Sequence, residues 1–174
     1  MNVLKRVTTE FVDVEDRIRI SGEYFDGDTD MLWLTQRLTN RLMAHLCRSL
    51  EQQLALVSSV PSVHPVQQDV MQDFAQQVAR AHLTSQLPVR ASSSNTGWRV
   101  DAVDITEVDG VVVLIFRGEA NRQARLNLPA QALRQWLAIV YQQYQCGAWP
   151  MDIWPHWMDG SAQVPGTLHA AVMH

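Results

Sequence analysis

Lysine is almost missing from this chain: Lys5 is the only one, and every other basic residue is an arginine. That scarcity removes Schiff-base and lysine-acid chemistry from consideration. Cysteine is nearly as rare. Cys47 and Cys146 form no C-x-x-C pair and sit in or beside helical patterns, so both read as reduced thiols of a cytoplasmic protein. No window approaches the roughly 18 apolar residues of a membrane helix, and Met1 to Arg6 lack the apolar run of a secretory signal. No membrane insertion is expected. Positive charge is also in short supply, since the 174 residues carry a net charge of −4 at pH 7. Binding to a phosphate backbone is driven by clustered Lys and Arg, so nucleic acid is not an expected partner.

The motifs of catalysis and cofactor binding are missing as well. There is no Gly-x-Ser-x-Gly elbow, no P-loop and no Gly-x-Gly-x-x-Gly after a strand. His45, His64, His82, His156, His169 and His174 fall into no HxH, HExxH or Cys/His zinc spacing. Asp26-Gly27-Asp28-Thr29-Asp30 begins like a calcium loop, but the positions needing glycine and a bidentate glutamate carry Met31 and Arg37, so a turn is expected. Neither a metal nor a cofactor is expected.

What is present reads as an α+β domain. Apolar residues make up 47% and charged residues 18%, the balance of a globular chain. Val7 to Val14 is rich in β-branched and aromatic residues, and Arg17 to Ser21 alternates charged with apolar, the period of a strand with one buried face. Asp26-Gly27 signals a hairpin, and Met31 to Leu34 would close a meander. The period then changes. Leu38, Leu42, Leu46, Leu50 and Leu54 recur every helical turn, with Thr35 or a neighbour as N-cap and Ser58-Ser59-Val60-Pro61 as the stop. A second helix follows His64-Pro65, with Val66, Val70, Phe74, Val78 and Ala81 on one face, and Pro88 with Ser92 to Asn95 marks a connection.

Strands are expected again at Trp98–Thr106, Val111–Phe116 and Ala124–Leu128, and Pro129 opens a helix striped by Leu133, Trp136, Leu137, Val140, Tyr141 and Tyr144. Ile18-Arg19-Ile20-Ser21-Gly22-Glu23 parallels Leu114-Ile115-Phe116-Arg117-Gly118-Glu119, and Leu32-Trp33-Leu34-Thr35 parallels Leu126-Asn127-Leu128-Pro129. The expected organisation is one domain over 1–174, with pseudo-repeat units at 5–58 and 97–145 and an inter-unit helix at 64–83. A Trp/Pro-rich tail covers 146–174. The order βββα–α–βββα implies two β-meander-plus-helix units, an antiparallel sheet and helices on one of its faces.

The tail places Trp149, Trp154 and Trp157 close to Pro150 and Pro155. Tryptophan is enriched where proteins anchor one another, so these three are the expected protein-binding residues, against the plainer alternative that they fold back over their own domain. Glu23 and Glu119 sit at matching places and are a candidate carboxylate pair, although solvated strand-end acids beside Arg19 and Arg117 are the simpler reading. Arg117, Arg122 and Arg125 cluster on one hairpin, where surface ion pairs account for them. Paired glutamines (Gln52-Gln53, Gln67-Gln68, Gln76-Gln77, Gln142-Gln143) give neutral helix faces that desolvate more easily than charged ones. The expectation is a non-enzymatic protein–protein interaction or scaffold/adaptor protein that self-associates as a homo-oligomer. A small acidic chaperone for another protein and an enzyme with a site between the two units are the alternatives.

Overall fold

Alternation in β2 (Arg17–Tyr24) does what its sequence demands: Ile18 and Ile20 are buried and lie opposite Leu34 and Leu32 of β3 (Thr29–Leu34). The turn between them uses Gly27 at φ +89, a conformation open to glycine, while the Asp28 N–H donates to Asp26 Oδ1. β1 (Val3–Val12) pairs antiparallel with β2 across nearly its whole length. β4 (Trp98–Val108), β5 (Val111–Gly118) and β6 (Gln123–Pro129) form a second meander, with Leu114 opposite Leu126 and Phe116 opposite Ala124. The computed structural model describes residues 3–57, 65–91, 96–161 and 172–173. The connections expected at 58–61 and 92–95, His64, the Val66 side chain, His169 and His174 lie outside the described residues.

The fold is α+β, with six principal strands and three α-helices among the described residues. The sheet is mixed, not antiparallel as expected. β3 runs parallel to β4 through Leu32–Trp98 and Trp33–Arg99, and β1 runs parallel to β6 through Val3–Arg125 and Leu4–Leu126. Tight turns can only join antiparallel neighbours, whereas the chain between β3 and β4 crosses over through helices, and a crossover returns the strand in parallel. Because β1 also pairs with β2, each of the six strands has two neighbours and the sheet closes on itself. A short β7 (Val172–Met173) adds antiparallel to β1 at Thr8 and Val7.

α1 (Gln36–Val57) starts where Thr35 Oγ1 accepts the Leu38 N–H at 3.3 Å, and it buries Leu42, Met43, Leu46 and Leu50. α3 (Ala130–Cys146) buries Leu133, Trp136, Leu137, Val140 and Tyr144. Polar tips bind these helices to the rest. The Trp136 Nε1–H donates to Thr9 Oγ1 at 3.0 Å, Gln143 Oε1 accepts the Phe11 N–H at 2.9 Å, and the Tyr144 hydroxyl donates to Asn40 Oδ1 at 2.6 Å. Two glycines lie under large side chains. A Cβ on Gly22 would meet Leu4 Cδ2 at 2.4 Å, and one on Gly118 would meet Trp98 Cε3 at 2.4 Å and the Arg99 carbonyl oxygen at 2.7 Å.

One hydrophobic cluster contains buried residues from all six principal strands, α1, α3 and the tail. α2 (Pro65–Ala81) supplies none of its buried members and rests instead on α3, α1 and the turn at His156–Ser161. The expected arrangement, with the helices together on one face of the sheet, does not extend to α2.

Candidate interaction surface

An amphipathic helix ordinarily buries its apolar stripe. α2 does the reverse. Val70 is 63% exposed and Phe74 69%, with Met71 and Val78 also exposed, while Gln72 and Gln76 on the opposite side are buried. The inward face is held by side-chain hydrogen bonds. Gln72 Nε2 donates to the Leu50 carbonyl at 2.8 Å and Gln76 Nε2 to the Arg134 carbonyl at 2.8 Å. Gln135 Nε2 returns a bond to the Ala79 carbonyl, Arg134 donates to Gln72 Oε1, and Arg80 donates to the Met158 carbonyl. Arg80 also lies over the Tyr141 ring and Arg134 over the Trp157 ring, each 5.7 Å from the centroid.

This seam is incompletely satisfied. Among the described residues, Asp73 Oδ1, Gln76 Oε1, Arg80 Nε and Arg134 Nη1 are buried without a hydrogen-bond partner. Each such group costs about 1–3 kcal/mol, so α2 is held less firmly than helices that share the core. Burial lowers the proton affinity of the Arg80 and Arg134 guanidinium groups. Periodicity locates a stripe but not the direction it faces. The buried glutamines, neutral and able both to donate and to accept, were the signal in the sequence that the opposite face could turn inward.

The tail lies elsewhere. Trp149, Trp154 and Trp157 are 5%, 7% and 3% exposed, so their rings sit in this chain's own core rather than standing out as an anchor. Trp149 packs edge-on against Phe11 and Tyr144, and Trp154 against Tyr141 and Tyr144. The Trp149 indole donates to Asp16 Oδ1 and the Trp157 indole to Glu51 Oε1, both at 3.0 Å. The structure separates the other candidates into local ion pairs. Glu23 meets Arg6 at 2.5 Å, Glu119 lies 3.6 Å from Arg99, and Arg117 pairs with Asp104. Arg125 donates to Asn127 Oδ1. No group of three His, Cys, Asp or Glu side chains that could hold a metal occurs among the described residues.

A cleft of about 580 Å³ opens between β1, α3 and residues 88–91, lined by Glu10, Arg19, Ser21, Gln143 and Cys146 among others. Arg19 is paired with Glu10 and stacked over Trp33, and no histidine lines the cleft to serve Cys146 as a base. Arg19 and Glu10 are spent on each other, while Arg90 also lines the cleft.

Burial suppresses ionisation of several groups. It pushes the Cys47 thiol up to about 12, with Glu51 adding to the effect and Arg134 opposing it. It pushes the Tyr141 phenol up to about 12, helped by the hydrogen bond to Asp159, and raises Tyr24 and Tyr144 as well. The folded chain therefore keeps protons that an unfolded chain, with ordinary values of 9.0 for thiol and 10.0 for phenol, gives up. Stability from these groups is complete below about pH 9 and declines as pH rises toward 12. Two results are expected. In mildly alkaline buffer a disulfide reagent should label one thiol per native chain, the exposed Cys146, and both after denaturation. The phenolate absorbance of all three tyrosines should appear only together with alkaline unfolding.

No helix among the described residues is long and apolar enough to cross a membrane. No family model matches the chain, and no curated protein or solved structure matches it.

Proposed function

We propose that this protein is a non-catalytic protein-interaction module, a scaffold or adaptor of the cytoplasm, and that its docking surface is the outward face of α2. The observation that carries this reading is the inversion of that helix, with Val70, Phe74 and Val78 in solvent while Gln72 and Gln76 are buried. A contiguous apolar patch on a domain that has a separate complete core is the usual mark of an interaction site. By contrast, Val14 and Phe25 are exposed singly in turns and form no face of this kind.

We further propose that the two βββα units are copies of one ancestral unit. Gly22 lies beneath Leu4 as Gly118 lies beneath Trp98, and the parallel seams join Leu32 to Trp98 and Leu126 to Leu4. The sequence parallel of Gly22 with Gly118 and of Leu32 with Leu126 therefore recurs in what each residue touches.

The test of the docking surface separates it from core. Val70→Ser and Phe74→Ser should each change unfolding free energy by no more than about 0.5 kcal/mol, as surface substitutions do, while weakening retention on a hydrophobic column. A loss above about 2 kcal/mol would place the stripe in the chain's own core and end this reading.

A further inference from the structure

We infer that the cleft between β1, α3 and residues 88–91 binds a small organic carboxylate with an apolar body. The site is separate from the outward face of α2, and none of its lining residues belongs to that helix.

Strand register builds the floor. Arg19 and Ser21 alternate with the core residues Ile18 and Ile20, so they point to the opposite face of the sheet. Pairing sets Thr8 and Met31 on either side of Ser21, and Glu10 beside Arg19. A face turned away from the core is ordinarily solvated, yet Ser21 is 4% exposed and Thr8 2%. The chain at 88–91 lies over this face, pinned where the Val89 N–H donates to Thr8 Oγ1 at 2.8 Å. Gln143 of α3, 7% exposed, forms part of the wall.

Two of these buried side chains keep unused hydrogen-bonding capacity. Among the described residues the Ser21 hydroxyl has no partner. Gln143 engages its Oε1 with the Phe11 N–H and leaves its Nε2 without one. Neither group is among the orphan polar atoms sealed away from solvent, so both open into the cleft that their residues line. Buried polar groups are ordinarily satisfied within the fold. Two left open on one cavity offer a ligand a hydroxyl and an amide N–H that the chain itself does not use.

Charge selects the ligand. Arg19 and Arg90 line the cleft against one acid, Glu10, in a chain whose net charge is −4. Arg19 is engaged with Glu10, whereas Arg90 is exposed and has no ion pair among the described residues. One free guanidinium matches one carboxylate, which it can hold through two parallel N–H···O bonds. A phosphate dianion would ask for a second cation, and Glu10 already holds it. Phe11, Met31, Pro88 and Val89 supply an apolar wall for the rest of the ligand. The cleft volume of about 580 Å³ falls within the roughly 300–1,000 Å³ of small-molecule sites.

The test uses the full chain, with octanoate as the probe, octanol as its uncharged counterpart, and calorimetry as the readout. Octanoate should bind one per chain and at least about tenfold tighter than octanol, the worth of a hydrogen bond to a charged group. Arg90→Gln, at an exposed position, should bring octanoate down to the octanol value. Phe74→Ser should leave octanoate binding unchanged. Because Cys146 lines the cleft, bound octanoate should also slow its alkylation by iodoacetamide. Equal binding of the two probes, or no binding of octanoate up to millimolar concentration, would overturn the inference. Loss of octanoate binding in Phe74→Ser, or alkylation of Cys146 untouched by bound octanoate, would place the ligand outside the cleft and overturn it as well. Binding of inorganic phosphate in place of octanoate would show an anion site without an apolar body and overturn the carboxylate assignment.

Discussion

Ending the chain at Cys146 is expected to destroy the fold rather than expose a binding surface. The truncation removes Trp149, Trp154, Trp157 and Met158, none of them more than 7% exposed. Emptying a buried tryptophan site costs about 3–5 kcal/mol. Three such losses together match or exceed the ~5–15 kcal/mol that holds a typical domain folded. The shortened chain should precipitate or lose its near-ultraviolet circular dichroism and its cooperative melt. Trp157→Ala alone should cost about 3–5 kcal/mol in denaturant, because it also strips Glu51 of the indole N–H that it accepts. A truncated chain that melts like the full one would show that the tail contributes nothing to the core.

Gly118→Ala is expected to be the most damaging single-methyl change in the sheet, and Gly22→Ala a much milder one. A Cβ on Gly118 would lie 2.7 Å from the Arg99 carbonyl oxygen and 2.4 Å from the Trp98 ring. Backbone in a paired strand cannot step aside, and Trp98 is held by its indole bonds to Asp30 at 3.0 Å. At Gly22 the three nearest atoms all belong to the flexible Leu4 side chain. Overpacking typically costs about 1–3 kcal/mol, so Gly118→Ala should fall at the upper end or beyond and Gly22→Ala near the lower. Denaturant midpoints for the two variants decide the matter. A larger loss at Gly22 would refute the assignment of the clash.

Much of the fold was legible because local chemistry fixed it. Thr35 caps α1 because its hydroxyl reaches the Leu38 N–H, and the Leu stripe that follows has one direction in which to bury. Asp26-Gly27 makes its turn because Gly27 must take a positive φ. Closure of the sheet was not legible. It depends on two parallel seams between strands remote in sequence, and no pattern within a strand specifies its parallel neighbour. The orientation of α2 was hidden for a related reason. Its apolar stripe and its glutamine face were both visible, but which one turns inward depends on Arg134 and the Leu50 carbonyl, which belong to other helices. The tryptophans were conspicuous in the sequence for their chemistry. Their location depends on Phe11, Tyr141 and Tyr144, distant residues whose convergence the spacing does not encode.

The parallel seams also set the order in which the chain can assemble. Each hairpin closes over a short turn and can form early and alone, within microseconds. Neither seam can form until the intervening helices have brought its two strands together, which carries the entropy of closing a long loop before any contact repays it. Folding should therefore be slow for a chain of this size and limited by ring closure, with substitutions in the hairpins changing mainly the unfolding rate. Until the ring shuts, β3, β4, β6 and β1 each present an unpaired edge. It is in that interval, rather than in the finished fold, that the chain is most exposed to pairing with the wrong strand.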